Sequence, residues 1–131
     1  MYNRNLRKPN PTKNVFKFSS QKNREMVLCE GSLEFDACFH FEYSKDVLSF
    51  TSQPTGFYYH FCEKQNPYTP DFLVHYRDGS HQFWEVKPRA KAQNSSFRAK
   101  FEARQRAAKE LGETVCLVTE RQIRLNPLLN N

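Results

Sequence analysis

The sequence predicts an α/β fold whose mixed central sheet has about five strands flanked by helices. Two runs rich in aromatic and β-branched residues, 72–76 and 81–87, stand on either side of Asp78-Gly79, a pattern typical of an antiparallel strand pair. An amphipathic segment, 95–111, then leads into the short apolar run 114–119. A helix that feeds a strand buried on both faces favours a mixed sheet.

Length and composition indicate one domain without a membrane span. The chain has 131 residues, 38% of them hydrophobic, with 12 Phe and no apolar run near 18 residues. The N-terminus does not have the signal-peptide pattern of basic residues followed by an apolar run, so we expect a cytoplasmic protein. Four cysteines at wide, irregular separations and four scattered histidines do not have the spacing of a zinc site, so reduced core thiols are expected.

Charge is divided unevenly along the chain. Residues 1–24 hold seven basic residues and no acidic one, and residues 25–86 hold ten acidic against three basic. Residues 87–109 hold eight basic residues against Glu102 alone. Clustered Lys and Arg indicate a partner that is a polyanion, although a solvated basic surface explains the charge equally well.

The N-terminal third predicts an arm followed by a helix. Residues 1–14 are polar and basic and include two prolines, a pattern that predicts a flexible arm. Residues 15–131 are expected to form one domain. The run SLEFDACFHFEY predicts a helix with Ser32 as N-cap. Its expected inner stripe is Leu33, Ala37 and Phe41.

The remaining elements follow in order. Segments 47–53 and 57–62 predict two strands joined by a Pro-Thr-Gly turn, and 66–70, with two prolines, predicts a loop. The helix 95–111 is expected to stop at Gly112. Its expected inner side is Phe97, Phe101, Ala108 and Leu111, and its expected outer side is Arg98, Lys100, Arg104, Arg106 and Lys109.

Three charges stand inside the predicted hairpin. Side chains alternate along a strand, so Glu85 and Lys87 point to the same face. A two-residue Asp78-Gly79 turn would oppose Asp71 to Val86 and place it on the other face. A three-residue turn with Gly79 left-handed would pair Tyr76 with Ser80 and set Asp71 opposite Glu85. Only the second turn gathers the charges.

With that turn, two carboxylates and an ammonium converge at one sheet edge. Closely spaced carboxylates need a cation between them, and a set of oxygen ligands suits Mg²⁺, which could polarise a phosphoryl oxygen and activate water. Glu34 could add a carboxylate if its helix docks at this edge. The alternative is that Glu85 and Lys87 make ordinary cross-strand pairs and Asp71 merely starts a strand, and spacing alone does not decide between the two.

The order of these residues resembles a known superfamily. Glu34 on a helix, Pro70-Asp71 at a strand start and then Glu85-Val86-Lys87 resembles the PD-(D/E)XK nucleases. Five blocks, FSSQKNREMVLCEGSLEFD, SFTSQP, YTPDFLV, WEVKPR and VTERQIR, are similar to the N-terminal nuclease domain of the transposon endonuclease subunit TnsA. This resemblance runs from about Phe16 to the C-terminus.

The resemblance implies a restriction-endonuclease-like fold and a set of site residues. Glu34, Asp71 and Lys87 match the family's catalytic positions, and Glu85 takes the middle position of the last motif, which can also be Gln. The implied metal ligands are Asp71, Glu85 and Glu34, for Mg²⁺ with Mn²⁺ as a substitute. Glu30 competes with Glu34 for the helical position. Gln53 is expected to be a strand-end residue rather than part of the site.

The resemblance also implies a substrate and partners. We expect a Mg²⁺-dependent endodeoxyribonuclease of a mobile element or phage-like system that nicks double-stranded DNA and leaves a 5′-phosphate and a 3′-hydroxyl. The alternatives are a DNA-binding module and a subunit that is inactive until a transposase or ATPase partner assembles it; a homodimer is also possible. Family members carry a further C-terminal domain, so a stand-alone nuclease and a piece of a longer protein both fit. The candidate DNA contacts are Arg89, Lys91, Arg98, Lys100, Arg104 and Arg106.

Overall fold

A computed structural model describes residues 16–124, so the arm predicted for residues 1–14 lies outside the described residues. Eight strands and four helices are described: β1 (Phe16–Ser20), β2 (Glu25–Cys29), α1 (Ser32–Tyr43), β3 (Val47–Ser52), β4 (Phe57–Phe61), β5 (Lys64–Tyr68), β6 (Phe72–Tyr76), β7 (His81–Val86), α2 (Arg89–Ala92), α3 (Ser95–Glu110), β8 (Val115–Val118) and α4 (Glu120–Arg124). Within this range, no helix has the length and apolar character needed to cross a bilayer.

The central sheet is mixed, as predicted, but it has four strands rather than about five. Its order is β3-β6-β7-β8, with antiparallel pairs except for the parallel pair β7 and β8. The fifth predicted strand, β4, instead pairs with β5 in a separate hairpin. α3 makes the crossover that a parallel pair requires, connecting the end of β7 to the start of β8.

The β4–β5 hairpin occupies a segment that was predicted in part to be a loop. Its strands turn at Cys62 and Glu63, whose φ angles of 52° and 64° are left-handed. Glycine or asparagine normally takes such positions, so the sequence carries no turn signal here. Pro67 lies in β5, which pairs on one side only within the described sheet and therefore tolerates a residue without an amide donor.

The β1–β2 hairpin covers the edge of the central sheet. The side chain of Asn23, in its turn, accepts from the amide of Phe50 in β3 at 3.1 Å and donates to the carbonyl of Phe50 at 2.5 Å. Lys22 Nζ donates to the carbonyls of Phe41, Ser44 and Val47 at 2.6 to 2.8 Å, which caps the C-terminal end of α1. The hairpin thereby fastens α1 to the sheet.

Each face of the central sheet carries its own core. On one face α1 packs Phe41 against Phe50, Phe72 and Trp84, with ring centroids 4.7 to 5.1 Å apart. On the other face the β4–β5 hairpin and α3 bury Phe57, Tyr68, Phe83 and Phe101 together. The sheet is therefore an interior layer, and the end of β7 is enclosed from both sides.

Two details of the helix ends differ from the prediction. Ser32 is the first helical residue of α1 rather than its N-cap, because Gly31 takes the capping position with φ −134° and no side-chain cap. Leu111 lies at the C-terminal cap of α3 and is 53% exposed, so it does not belong to the inner side of that helix. Gly112 stops the helix as predicted, with a left-handed φ of 76°.

Candidate active site

The turn between β6 and β7 has the three-residue form. Tyr76 donates its amide to the Ser80 carbonyl at 2.8 Å, and His75 pairs with His81. Gly79 is left-handed, with φ 93°, as that turn requires. The same register, continued beyond the pair Phe72–Trp84, sets Asp71 opposite Glu85. The structure thus confirms the odd-numbered turn, and with it the shared face.

Asp71 stands where β6 begins. Its Oδ2 accepts the amide of Val86 at 2.6 Å, and its own amide donates to the carbonyl of Trp84 at 3.0 Å. Its carbonyl accepts the amide of Gln53 at 2.9 Å. Burial, and next the nearby charge of Glu85, raise the pKa of Asp71 to about 8. The first of these bonds holds the carboxylate, and the other two fix the main chain of Asp71 at the open end of the β6–β7 ladder.

Glu34 reaches the same place from the first turn of α1. Its Oε2 accepts the amide of Glu30 at 3.1 Å, and its carboxyl shares a hydrogen bond with the carboxyl of Asp71. Burial, and next the charge of Asp71, raise the pKa of Glu34 to about 8. Two carboxyls this close, with no cation between them, each take up a proton more readily than an isolated carboxyl does. Glu34, the competitor of Glu30 for the helical position, is thus in contact with Asp71.

Glu85 is the most enclosed of the acidic side chains, with only 3% of its surface exposed. Its Oε2 accepts a hydrogen bond from the hydroxyl of Tyr68 in β5 at 3.1 Å. Burial raises the pKa of Glu85, while the positive charges of Lys87 and Arg104 and the Tyr68 bond oppose that rise. A buried carboxylate is costly unless it is paired, and here cations and a hydroxyl compensate it.

Lys87 follows Glu85 on the same face and is partly exposed. Its ammonium lies 5.8 Å from the ring centroid of Phe97 in α3, a cation–π distance. The same charge lowers the pKa values of Asp71 and Glu85 from the positions that burial alone would give. The long side chain of Lys87 thus places a cation beside the carboxylates and against an aromatic ring.

The donor set has the chemistry of a Mg²⁺ site, although its side chains are not arrayed around an ion. Three carboxylates from α1, β6 and β7 converge, and carboxylate oxygen is what Mg²⁺ selects. Within residues 16–124, however, no three His, Cys, Asp or Glu side chains are placed to hold a metal ion as they stand. The raised pKa values of Glu34 and Asp71 agree with this arrangement, because the two carboxyl groups bond to each other rather than to a cation.

The predicted DNA contacts divide into two groups. Five are exposed on α2, on α3 or beside them: Arg89, Lys91, Arg98, Lys100 and Arg106. Arg104 differs, because its guanidinium carbon lies 4.4 Å from the ring centroid of Tyr68 and 5.1 Å from that of Tyr59. It was wrongly placed on the outer side of the helix.

The spacing of α3 contained the signal for Arg104. It follows Phe101 by three residues and precedes Ala108 by four, so it belongs to the stripe that packs inward. The prediction relied on the charge of Arg104 and not on its position in the helix. Among the described residues, its Nε is one of two buried side-chain nitrogen or oxygen atoms without a hydrogen-bond partner.

Two neighbours of the site were not predicted to belong to it. Tyr68 was assigned to a loop, and only the missed hairpin brings its hydroxyl to Glu85. Gln53 is 6% exposed and has a left-handed φ of 48°, and its amide bonds to the Asp71 carbonyl. This bond continues the β3–β6 register by one residue, as expected for a strand end, and the left-handed backbone of Gln53 lies directly beside Asp71.

Comparison with known proteins identifies a family. The family model described as TnsA-like endonuclease N terminal matches residues 44–120. That range contains Asp71, Glu85 and Lys87 and begins after Glu34. No curated protein matches the chain. Because the match spans more than half of the sequence, this chain belongs to the TnsA-like endonuclease N-terminal family.

Proposed function

We propose that this protein is a Mg²⁺-dependent DNA endonuclease of the PD-(D/E)XK type that hydrolyses a phosphodiester bond. The observation that carries the proposal is the β6–β7 register, which sets Asp71 opposite Glu85 on the face that Lys87 shares. Family membership gives the coarser conclusion of a nuclease-related role. The reaction and its metal go beyond that conclusion.

The carboxylates and the lysine have separate roles in this proposal. Asp71, Glu85 and Glu34 would hold the Mg²⁺, with Mn²⁺ as a substitute, in their deprotonated form. A bound ion would polarise a phosphoryl oxygen and lower the pKa of a water. Lys87 orients the attacking water or stabilises charge that develops on the phosphate. Together they must lower a barrier by about 20 kcal/mol, because uncatalysed phosphodiester hydrolysis is very slow.

The basic side chains bring the DNA to this site. α2 begins two residues after Lys87, so Arg89 and Lys91 lie next to the carboxylates along the chain, and Arg98, Lys100 and Arg106 extend the exposed charge along α3. Eight residues of helix span about 12 Å, so α3 can follow several phosphates. Such contacts position a duplex without reading its sequence.

Supercoiled plasmid tests the proposal directly. The full chain is incubated with plasmid and Mg²⁺ or Mn²⁺, beside the variant Asp71→Ala and a control without metal. Nicked circles from the wild type alone support one cut per site, and linear DNA supports paired cuts by a dimer. Cleavage that survives in Asp71→Ala or in EDTA would contradict the assignment.

A second candidate is a subunit that is inactive until a transposase or ATPase partner assembles it on DNA. The family match favours it, because a TnsA-like domain implies a transposase partner. This candidate predicts no cleavage by the isolated chain even in Mn²⁺. Cleavage that appears only after a partner is added would distinguish it from a nuclease that acts alone.

A further inference from the structure

Tyr68, Glu85 and Arg104 form a connected group in which each contact has a different chemistry. The Tyr68 hydroxyl donates to Glu85 Oε2 at 3.1 Å, and the Arg104 guanidinium covers the Tyr68 ring at 4.4 Å. Tyr68 and Glu85 are 4% and 3% exposed, so water does not replace these contacts. The three residues come from β5, β7 and α3, and the group therefore crosses the second core.

The phenol of Tyr68 is held in the form that donates. A carboxylate oxygen can only accept a hydrogen bond, so in the 3.1 Å contact with Glu85 Oε2 the Tyr68 hydroxyl is the donor. A tyrosine hydroxyl buried beside a carboxylate donates one hydrogen bond in a fixed direction. Glu85 is consequently engaged on one oxygen by a rigid ring rather than by a flexible chain.

Arg104 keeps that ring in place. Its guanidinium lies between Tyr59 and Tyr68, and Nη2 approaches the Tyr59 hydroxyl at 3.5 Å, the outer limit of a hydrogen bond. A planar guanidinium stacks on aromatic faces in a way that a lysine ammonium does not. The guanidinium is therefore occupied by contacts with the two tyrosine rings.

We infer that Tyr68 is a positioning residue that fixes the Glu85 carboxylate for the metal, and that Arg104 serves the site by clamping Tyr68 rather than by contacting DNA. The inference rests on the proposed function, since it presumes that Glu85 is a metal ligand. Partners that orient a ligand typically change metal affinity or activity by about 10- to 100-fold when they are removed.

Metal binding without DNA tests this, with Mn²⁺ titrated against the full chain and followed by electron paramagnetic resonance. Tyr68→Phe removes only the hydroxyl and is expected to weaken Mn²⁺ binding about 10-fold. Tyr59→Phe is the matched control, because Tyr59 also stacks on Arg104 and is equally buried but does not reach Glu85. It should bind Mn²⁺ like the wild type. Arg104→Lys, which keeps the charge and loses the stacking, should resemble Tyr68→Phe.

A double variant separates positioning from general support of the fold. If Tyr68 acts through Glu85, Tyr68→Phe adds no further loss of Mn²⁺ binding in a Glu85→Gln background. Losses that add, or a Tyr68→Phe protein that binds Mn²⁺ like the wild type, would overturn the inference alone. A wild type that neither binds Mn²⁺ nor cleaves DNA would overturn the proposed function and this inference together.

Discussion

Asp71 Oδ2 accepts the backbone amide of Val86 at 2.6 Å, so a site carboxylate takes the place of a ladder hydrogen bond where β6 and β7 separate. The bond ties the carboxylate to the backbone between Glu85 and Lys87. Any change in the position of β6 relative to β7 therefore moves all three functional side chains at once. Several expectations depend on this coupling.

Replacing Asp71 should remove cleavage and leave DNA binding. Asp71→Asn keeps the shape of the side chain but loses the charge that a metal requires, so we expect plasmid nicking to fall at least 1000-fold, on the order of losing a principal catalytic group. DNA affinity, measured by fluorescence anisotropy in Ca²⁺, should stay within about twofold, because exposed basic residues supply it. Asp46→Asn, an exposed aspartate away from the site, is the control and should cleave normally.

Lys87 should be needed for turnover and dispensable for metal binding. Lys87→Gln removes the ammonium that we assign to water or phosphate, and a loss of about 100- to 1000-fold in cleavage rate is expected. Mn²⁺ binding should persist, since the carboxylates remain. Lys109→Gln, at an exposed lysine near the end of α3 that is not among the candidate DNA contacts, should keep a near-normal rate. Equal losses in both variants would indicate a general charge effect instead of a catalytic one.

The raised pKa values of Glu34 and Asp71 predict how the stability of the fold changes with pH. Glu34 and Asp71 have pKa values of about 8 in the fold, above their values of about 4 in an unfolded chain. The folded protein therefore binds more protons between these limits, and its stability without metal falls as pH rises from about 4 to about 8. In EDTA the melting temperature should fall over this window by about 4 °C for each kcal/mol lost.

Two comparisons isolate that effect. Asp71→Asn removes one of the coupled groups and should flatten the pH dependence. Added Mn²⁺ should raise the melting temperature more at pH 8 than at pH 5, because metal and proton compete for the same carboxylates. A melting temperature that rises between pH 5 and pH 8 in EDTA, in the wild type but not in Asp71→Asn, would show that the carboxyl pair is not protonated as described.

Arg98 and Arg104 should behave differently in DNA binding although both lie on α3. Arg98 is exposed near the start of the helix, and Arg98→Met should lower the slope of log affinity against log salt by about 0.9, the value of one phosphate contact. Arg104 is packed between two tyrosine rings, so Arg104→Met should leave the slope unchanged. A reduced slope in Arg104→Met would place its guanidinium on DNA after all.

Gly79 should be needed for stability through its backbone alone. An added Cβ would meet no atom within 4 Å, so the cost of Gly79→Ala comes from its φ of 93° and is expected to be about 1 kcal/mol in the free energy of unfolding by urea. Gly79→Asn should cost less, because asparagine tolerates left-handed backbone. Equal costs for the two would mean that space, not conformation, limits this position.

The parts of the fold with strong local signals were predictable. The inner stripe of α1 and the β6 strand follow from periodicity, and Asp78-Gly79 marks the turn, although the sequence left open whether that turn has two or three residues. The β4–β5 hairpin was not, because its turn uses Cys62 and Glu63 in left-handed backbone and its second strand contains Pro67. That strand forms because it packs in a core with α3, and no local sequence pattern indicates this packing.

The candidate site, like the fold, was predictable only in part. Asp71 and Glu85 were expected on one face only if the turn between β6 and β7 had three residues, and the structure has that turn. Arg104 was misplaced because charge was taken as evidence of exposure, while the helix stripe and two aromatic partners determine its direction. The contribution of Tyr68 depends on a long-range contact across 17 residues, which no short motif reveals.

Asn23 has a consequence for assembly. By bonding both backbone groups of Phe50, its amide side chain imitates a neighbouring strand for a single residue. A free β-edge is a template on which another polypeptide can add, and here the first hairpin fills that template at its centre. Two copies of this chain could not join β3 to β3 in one continuous sheet without first expelling Asn23. A homodimer that cuts both DNA strands would therefore have to form through a different surface.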